Sequence, residues 1–269
     1  MSHQLLKGKK GIIFGALDNS SIAWKTAEMA HAEGAQILLT NAPVALRMGK
    51  INELAEKIGA QVVPADATSV EDLGALLDVA EKEFGKIDFV LHSIGMSPNV
   101  RKGRAYTNLN YDWFNKTLDV SAISFHKTMQ LLYDRDLMND WGSIVALTYI
   151  AAQRTFGKYS DMADAKALLE SFARSFGYHF GVKNKVRVNT ISQSPTPTTA
   201  GSGVTGFDKM LEYGEKMSPL GNATADDCAN YCVSMFSDYT RLVTMQNLFH
   251  DGGFSSMGIS NAMFDEVGE

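Results

Sequence analysis

Short apolar runs alternate with longer amphipathic segments along almost the whole chain. The apolar runs have the length of strands and hold few polar residues, which is typical of parallel strands that are covered on both faces. They predict seven strands, at residues 11–14, 36–40, 61–64, 89–92, 143–147, 186–191 and 246–249.

Apolar residues in the longer segments recur every three or four positions, as they do on helices. The pattern predicts helices at residues 21–33, 49–58, 70–84, 111–132, 159–180 and 225–236. Unbroken strand–helix alternation predicts one α/β domain over residues 1–269: a doubly wound, Rossmann-type parallel sheet of seven strands with helices on both faces. The longest segment without clear periodicity, residues 194–221, is rich in Thr, Gly, Ser and Pro. We predict that it forms a lid at about residues 195–217, because a loop of this length in a compact domain usually covers a ligand site.

Composition and charge narrow the class of protein. With 45% hydrophobic and 20% charged residues the chain is ordinary for a globular protein, and its net charge of −5 argues against a nucleic-acid partner. No apolar run reaches the length of about 18 residues that a transmembrane helix needs, so we expect no membrane partner. The first residues lack the apolar core of a signal peptide, which predicts a cytoplasmic protein. Cys228 and Cys232, four residues apart in a helical pattern, are interpreted as small core residues, and no metal site is predicted.

Small or polar residues follow the strands at the edge where open parallel sheets bind ligands. Gly15 lets the backbone turn after the first strand. Ser21, at the start of the following helix, can offer its hydroxyl and N–H groups to a pyrophosphate, or it can simply cap the turn. The Gly-x-Gly-x-x-Gly fingerprint of many dinucleotide-binding proteins is absent from the turn after the first strand.

The residues that follow the next strands bear on dinucleotide binding and on the choice between NAD and NADP. Asn41, after the second strand, is neutral where an acidic residue favours NAD and a nearby arginine favours NADP. No basic residue adjoins it and Arg47 lies six residues on, so we favour NADH without excluding NADPH. Asp66, after the third strand, can accept a hydrogen bond from an adenine amino group or serve as a turn aspartate. Gly95, after the fourth strand, allows the backbone to pass close to a ribose.

Two tyrosines and a lysine, Tyr149, Tyr159 and Lys166, follow the fifth strand. The predicted helix places Tyr159 and Lys166 on one face, two turns apart. A lysine beside a tyrosine can hold the phenol's proton ready and also bind a ligand's hydroxyls. Tyr178 and Lys185 have the same separation, but they fall at a helix end and in the turn after it, so spacing alone does not identify the pair.

Four motifs taken together resemble the bacterial NADH-dependent enoyl-acyl-carrier-protein reductases, divergent members of the short-chain dehydrogenase/reductase superfamily. They are Gly15-x5-Ser21-Ile22-Ala23, His92-Ser93-Ile94-Gly95, Tyr149-x9-Tyr159-x6-Lys166 and Asp251-Gly252-Gly253-Phe254. The resemblance covers nearly the entire chain. Ordinary superfamily members carry Tyr-x3-Lys and a serine upstream of it, whereas this chain has no Tyr-x3-Lys and has Ala146 at the serine's place. This departure favours an enoyl reductase over a ketone reductase.

The resemblance implies reduction of trans-2-enoyl-acyl-carrier-protein thioesters by hydride transfer from NADH, the last step of fatty-acid elongation. Tyr159 is implied to hydrogen-bond or protonate the enolate oxygen that develops on the thioester. Lys166 is implied to bind the nicotinamide ribose, and its charge to favour phenolate character in Tyr159. Tyr149 is implied to line the thioester end of the site. The alternatives are a short-chain carbonyl reductase and a dinucleotide-binding regulator without turnover.

The same resemblance implies the remaining contacts. The dinucleotide-binding residues are Gly15, Ser21, Ile22, Asn41, Asp66, Ala67, Ser93, Ile94, Gly95, Thr148, Lys166, Thr196, Thr198, Thr199 and Ala200. The substrate-binding residues are Ser97, through its backbone, with Tyr149, Tyr159, Phe207 and Met210.

Partners are also implied. The acyl carrier protein is acidic and would be drawn to the basic cluster of Arg101, Lys102 and Arg104, although these residues can equally form a solvated loop. The family forms homotetramers, and the apolar strand with Phe249 would lie near such an interface. His92, at the end of the fourth strand, is interpreted as a packed core residue.

Overall fold

The computed structural model describes residues 3–199, 201–204 and 206–262, and these form one parallel sheet of seven strands. Its strands are β1 (Lys10–Phe14), β2 (Gln36–Thr40), β3 (Gln61–Val62), β4 (Ile87–His92), β5 (Met138–Thr148), β6 (Arg187–Gln193) and β7 (Asn247–His250). Their order across the sheet is β3-β2-β1-β4-β5-β6-β7, and each neighbouring pair is parallel. The predicted doubly wound α/β sheet is confirmed.

Helices connect the strands and cover both faces of the sheet. They are α1 (Ile22–Ala32), α2 (Pro43–Met48), α3 (Ile51–Ile58), α4 (Val70–Phe84), α5 (Pro98–Arg101), α6 (Tyr111–Leu118), α7 (Ser124–Asp134), α8 (Met162–Asn184), α9 (Phe207–Met217) and α10 (Ala225–Phe236). None of the helices in the described ranges is long and apolar enough to cross a membrane.

Two hydrophobic cores lie on the two faces of the sheet. Successive residues of a strand point to opposite faces, so Ile12 enters one core and Ile13 the other. The first core packs α4, α7 and α8 against the sheet, with Phe125 fully buried. The second packs α1, α3 and α10, and it contains both cysteines, as the sequence predicts. Neither core needs a covalent staple at this chain length.

The helix predicted from residue 159 begins later than expected. α8 starts at Met162 and runs to Asn184, so Tyr159 lies in the turn before the helix and does not share a helical face with Lys166. The turn is incompatible with regular helix because Ser160 has a positive φ of 48°. The lysine is nevertheless brought into the same cleft as the tyrosine.

The helix predicted over residues 111–132 is interrupted. α6 ends at Leu118 and α7 begins at Ser124, with one π-helical turn over Asp119–Ile123 between them. The turn places the Ser121 hydroxyl against the Met96 backbone, where it accepts from the N–H at 2.9 Å and donates to the carbonyl at 3.1 Å. A π turn inside a helix commonly marks a functional region.

The segment after β6 is more ordered than its sequence suggests. It contains a short 3-10 turn at Gly201–Gly203 and then the helix α9. The lid predicted at about residues 195–217 therefore consists of a loop followed by a helix of 11 residues. We keep the name "lid" for this segment.

Strand order reverses between β1 and β4, because β2 and β3 lie on one side of β1 and the later strands lie beyond β4. Phe14 and His92, the last residues of these two strands, are register partners. Ligand sites of open α/β sheets lie in the crevice outside such a reversal.

Candidate active site

A cleft with about 1040 Å³ of empty space, part of it open to solvent, lies at the carboxyl ends of β4, β5 and β6. Of the residues predicted for the site, the cleft is lined by Ile22, Ser93, Ile94, Gly95, Ser97, Thr148, Tyr149, Tyr159, Lys166, Thr196, Thr198, Phe207 and Met210. Residues that are far apart in the sequence thus meet in one place, as the reversal of strand order requires.

The turn after β1 needs a glycine at its first position. Gly15 has a φ of 95°, and a Cβ there would lie 2.1 Å from the carbonyl oxygen of Ser93. The two strand ends can approach each other only because this side chain is missing. After the turn α1 begins at Ile22, which lines the cleft, and the N–H groups of a helix's first turn have no partner within the helix. A glycine turn that leads into a helix N-terminus fits a dinucleotide's pyrophosphate.

Ser21 itself is used within the turn. Its hydroxyl donates to the Asp18 carbonyl at 2.7 Å and accepts from the Leu17 N–H at 3.3 Å. The Ser21 hydroxyl therefore closes the turn and makes no capping bond to α1, and its hydrogen is not free for a phosphate.

Asp18 joins the turn to the lid. Its carboxylate accepts from the Thr199 hydroxyl at 2.5 Å and from the Ser20 hydroxyl at 2.6 Å, and the Thr199 N–H donates to the Ser20 hydroxyl at 3.2 Å. Burial opposes ionisation here, but the hydrogen bonds from Ser20 and Thr199 lower the pKa of Asp18 below its ordinary value. The lid is thus fastened to the glycine turn by a carboxylate that is charged at neutral pH.

Lys166 lies in the wall of the cleft. Its side chain is buried, and its ammonium donates to the Leu147 carbonyl at 2.8 Å. Burial lowers the pKa of Lys166 to about 8, while the nearby Glu170 carboxylate acts to raise it. A Cβ on Gly95 would lie 3.5 Å from its Nζ atom, so this glycine leaves open the space beside the ammonium.

Tyr149 and Tyr159 form an aromatic pair on the cleft, with ring centroids 5.0 Å apart and planes inclined by 53°. Burial raises the pKa of Tyr159 well above its ordinary value. For Tyr149, burial and then the neighbouring Tyr159 do the same. Burial therefore outweighs any tendency of Lys166 to favour a phenolate in Tyr159, and the influence of the lysine on this phenol stays a prediction. Both residues are neutral phenols at pH 7 and can donate a proton.

The lid supplies an apolar wall beside the tyrosines. Phe207 and Met210 of α9 line the cleft, as predicted, together with Val204. Met210 also packs against the cluster that contains Tyr149. Ser97 is 3% exposed and its hydroxyl bonds to Asp161, which leaves its backbone as the part available to a ligand, as the resemblance implies.

Other predicted cofactor residues lie outside the lining of the cleft. The Asn41 amide donates to the Ala16 carbonyl at 3.0 Å, and the Asp66 carboxylate accepts from the N–H and hydroxyl of Thr68, which is the turn interpretation of that aspartate. Ala67 is buried in the core beside α4. The turn after β1 contains Gly15 and Ser21, and Thr199 links this turn to the lid. Ala200 lies outside the described residues.

Several lining residues were not predicted. Chief among them are Met96, Leu147, Gln193 and Arg101. Met96, Leu147 and Gln193 lie within or shortly after a strand end, so the rule that located Gly95 also covers their positions, whereas Arg101 lies at the end of α5. Their residue types carried no signal, because apolar and amide side chains are ordinary there. Arg101 was assigned to a surface cluster, yet it also reaches the lid, where a Cβ on Gly203 would lie 3.6 Å from its Nε.

His92 is a core residue, as expected. It is completely buried, its Nε2 lies 3.0 Å from the Ser124 hydroxyl, and its ring contacts Phe125. Burial and then the charge of Lys166 lower the pKa of His92 to about 3, so the ring is neutral. In the described part of the chain, no cluster of three metal-binding side chains occurs.

A doubly wound sheet with a glycine turn after its first strand and a tyrosine–lysine pair after its fifth defines a dinucleotide-binding oxidoreductase of the short-chain dehydrogenase type. The family model described as Enoyl-(Acyl carrier protein) reductase matches residues 15–255. The chain belongs to this family.

Individual relatives agree along almost their full length. An enoyl-[acyl-carrier-protein] reductase [NADH] of Rhizobium meliloti is 34% identical, over 95% of this chain and 93% of the relative. The structure of a FabI–NADH complex from Alistipes finegoldii is similar with a TM-score of 0.95 and 66% identity, covering 97% of this chain and 92% of that chain. The corresponding NADH enzyme of Aquifex aeolicus gives a TM-score of 0.88 at 33% identity, covering 95% and 99%.

Proposed function

We propose that this protein reduces trans-2-enoyl-acyl-carrier-protein thioesters to acyl thioesters with NADH, the last step of fatty-acid elongation. The observation that carries the proposal is the cleft in which a neutral, half-buried Tyr159 and the ammonium of Lys166 lie beside a glycine turn suited to a dinucleotide. The family match and the similarity to the FabI–NADH complex support the choice of reaction and of cofactor.

NADH would be held by the crevice between β1 and β4. The first turn of α1 would bind its pyrophosphate, Gly95 would admit a ribose, and Lys166 would bind ribose hydroxyls. Thr196 and Thr198 of the lid would close over it. Bound NADH supplies the hydride that the β-carbon of the enoyl thioester accepts.

Tyr159 would act on the charge that develops on the substrate. As negative charge builds on the thioester oxygen, the phenol O–H donates a hydrogen bond to it and can transfer its proton. Because the site is buried, this donor is worth more than it would be in water. Tyr149 packs against Tyr159 and limits the directions that its ring can take.

Turnover of an enoyl thioester tests the proposal. NADH oxidation is followed at about 340 nm with a crotonyl thioester, comparing wild type with Tyr159→Phe and Lys166→Ala. Removing a transition-state donor costs about 10²–10³-fold in kcat, which is the loss expected for Tyr159→Phe. Tyr178→Phe is the matched control, since Tyr178 has the same spacing to a lysine but is 60% exposed on α8.

The outcomes separate the competing functions. Undiminished turnover in both site variants would refute the assigned roles. Activity on β-ketoacyl thioesters alone would favour a carbonyl reductase, a reading already disfavoured because Ala146 is buried where such enzymes carry serine. Tight NADH binding without oxidation would favour a regulator.

The carrier protein is proposed to dock on the loop after β4. Arg101, Lys102 and Arg104 are exposed there, and Arg101 borders the mouth of the cleft. Lys102→Glu should raise the KM for a carrier-bound substrate but not for a coenzyme A thioester, because only the former brings an acidic protein surface. Lys82→Glu on α4 is the control, since the end of that helix lies at the opposite edge of the sheet. Equal effects on both substrates would refute this docking surface.

A cytoplasmic homotetramer is proposed as the working form. Apolar side chains are exposed on the edge strand β7 and on α8: Phe249 is 41% exposed and Val182 is 65% exposed. Such surfaces are typical of interfaces. Light scattering of the purified protein measures the mass directly, and a monomer would contradict the proposal.

A further inference from the structure

A buried carboxylate lies two residues after Tyr159. Asp161 has no exposed surface, and it accepts three hydrogen bonds from side chains. The Ser97 hydroxyl donates to Oδ1 at 2.6 Å, and the Asn99 amide donates to Oδ2 at 2.8 Å. The Thr117 hydroxyl lies 2.9 Å from Oδ2 and 2.8 Å from the Trp113 carbonyl, and it shares its one hydrogen between these two acceptors. A buried charge is tolerated only with such partners, so the arrangement is specific to a carboxylate.

The three donors belong to two segments around the cleft: Ser97 and Asn99 to the start of α5, and Thr117 to α6. Ser97 lines the cleft and caps α5, since its hydroxyl also accepts from the Val100 N–H at 3.0 Å. Asn99 is locked on its other side to Asn110, from which it accepts and to which it donates at 3.1 Å. Thr117 lies in α6. One carboxylate therefore connects the loop after β4, α6 and the turn that carries Tyr159.

That turn needs an external anchor. Ser160, between Tyr159 and Asp161, has a φ of 48°, and its buried hydroxyl has no hydrogen-bond partner. A serine in this conformation is strained, and such strain persists only where surrounding contacts enforce it. Asp161 directly follows Ser160, and the hydrogen bonds of its carboxylate are the contacts that hold this part of the turn in place.

We propose that Asp161 is a positioning residue, which fixes the phenol of Tyr159 relative to Ser97 and hence to the thioester that both residues contact. The inference rests on the proposed function. Asp161 acts through its neighbours and does not touch substrate. Its role is to keep the proton donor and the substrate-binding backbone at one fixed separation, which enzymes require for rapid reaction.

Asp161→Asn changes this network with almost no change in volume. An amide can present its oxygen to Asn99 and Thr117, but its NH2 group then faces the Ser97 hydroxyl. Ser97, which already accepts from Val100, loses the acceptor for its own hydrogen. The expected consequence is a displaced Ser97 with an otherwise intact fold.

Kinetic measurements distinguish a positioning role of Asp161 from a role in stability alone. In Asp161→Asn, kcat/KM for the enoyl thioester should fall on the order of 10- to 100-fold, as for a small misplacement of reacting groups. NADH affinity, measured by fluorescence quenching, should stay within about twofold, because a displaced Ser97 leaves the glycine turn and Lys166 unaltered. Asp161→Asn combined with Ser97→Ala should cost no more than the worse single change, because both act through one hydrogen bond.

Controls keep the test decisive. Ser143→Ala removes another buried hydroxyl, which donates to the Met235 carbonyl at 2.7 Å in the middle of β5, and it should lower the melting temperature without altering kcat/KM. If Asp161→Asn fails to fold, Thr117→Val removes one donor to the same carboxylate and should give a smaller loss in the same direction. Melting-temperature losses with unchanged kinetics, or additive effects with Ser97→Ala, would overturn the inference. If wild type does not reduce enoyl thioesters, the proposed function fails instead.

Discussion

Lys166 is a buried cation whose ionisation can be read in the pH dependence of the enzyme. Burial lowers its pKa to about 8, and Glu170, one turn later on α8, acts to raise it. Glu170 is itself held by the Thr148 hydroxyl at 2.9 Å and the Gln153 amide at 3.0 Å. The charged lysine, which would bind ribose hydroxyls, therefore predominates below about pH 8 and is lost above it.

We predict that kcat/KM for NADH falls as the pH rises through about 8, since this parameter reports the ionisation of the free enzyme. Glu170→Gln removes the charge that raises the pKa of Lys166, so the fall should begin at lower pH. Initial rates at subsaturating NADH across this range measure both curves. Coincident curves for the two proteins would contradict a coupling between Glu170 and Lys166.

We predict that substitution by alanine has opposite effects at Gly15 and at Gly181. Gly15→Ala places a Cβ 2.1 Å from the Ser93 carbonyl at a positive φ, so the turn must move and NADH affinity should fall with the melting temperature. Gly181 lies inside α8 with open space around it, so Gly181→Ala should stabilise the protein by about 0.5–1 kcal/mol. Thermal unfolding and NADH titration of both variants check the pair. A tolerated Gly15→Ala would refute the close approach of β1 and β4.

The residues of the site differ in how far the sequence could identify them. Tyr159 and Lys166 could be identified because a phenol and an ammonium follow a predicted strand. Gly15 could be identified because the turn after the first strand requires a glycine. Asp161 gave no signal, because its donors lie 64, 62 and 44 residues away. Only the folded chain shows that the carboxylate is buried and shared.

At the scale of elements, the strands were easier to predict than the joins between helices. A buried parallel strand is a nearly continuous apolar run, and such a run can be recognised in the sequence without knowing which strands lie beside it. The π turn at Asp119–Ile123 leaves the apolar periodicity almost unchanged, so the sequence predicts the helical segment but not the π turn inside it. The start of α8 was likewise not predicted, because a positive φ at a serine such as Ser160 is uncommon and has no signal in the sequence.

The lid is the element whose attachment can be tested directly. Asp18→Asn removes the charge that accepts the Thr199 and Ser20 hydroxyls, so the lid should open more often. We predict faster amide hydrogen exchange at Thr198 and Thr199 and a higher KM for NADH. The carboxylate's lowered pKa means that wild type keeps this fastening at neutral pH and loses it only in acid, as the group becomes protonated.

Asp78→Asn is the control for that experiment. Asp78 is 71% exposed and pairs with Arg135 on the surface, where an ion pair contributes little. It should leave lid exchange and KM unaltered. Equal exchange in Asp18→Asn and wild type would show that the lid is held by its apolar contacts instead.

At the scale of the whole molecule, the fold follows from alternation together with the right-handed crossovers that parallel strands adopt. The strand order reverses between β1 and β4, and the cleft lies at the carboxyl ends of β4, β5 and β6 beside this reversal. Sequence alone located the edge of the sheet that carries the site. It could not settle which dinucleotide the edge accepts, because Asn41 is neutral and its amide is engaged by the Ala16 carbonyl.

Thermal stabilisation by the two dinucleotides settles that choice for the intact protein. A ligand at 100 times its Kd stabilises the folded state by about 2.7 kcal/mol, which corresponds to a rise in Tm of roughly 5–10 °C for a chain of this size. We predict this rise with NADH and a smaller one with NADPH at equal concentration, because no cation adjoins Asn41 to balance the additional phosphate. Arg47, which is exposed on α2, is the basic residue nearest to Asn41 in the sequence that could bind this phosphate. If Arg47 reads that phosphate, Arg47→Ala will reduce the NADPH shift and leave the NADH shift unchanged, and an NADPH shift equal to that of NADH in wild type would contradict the preference.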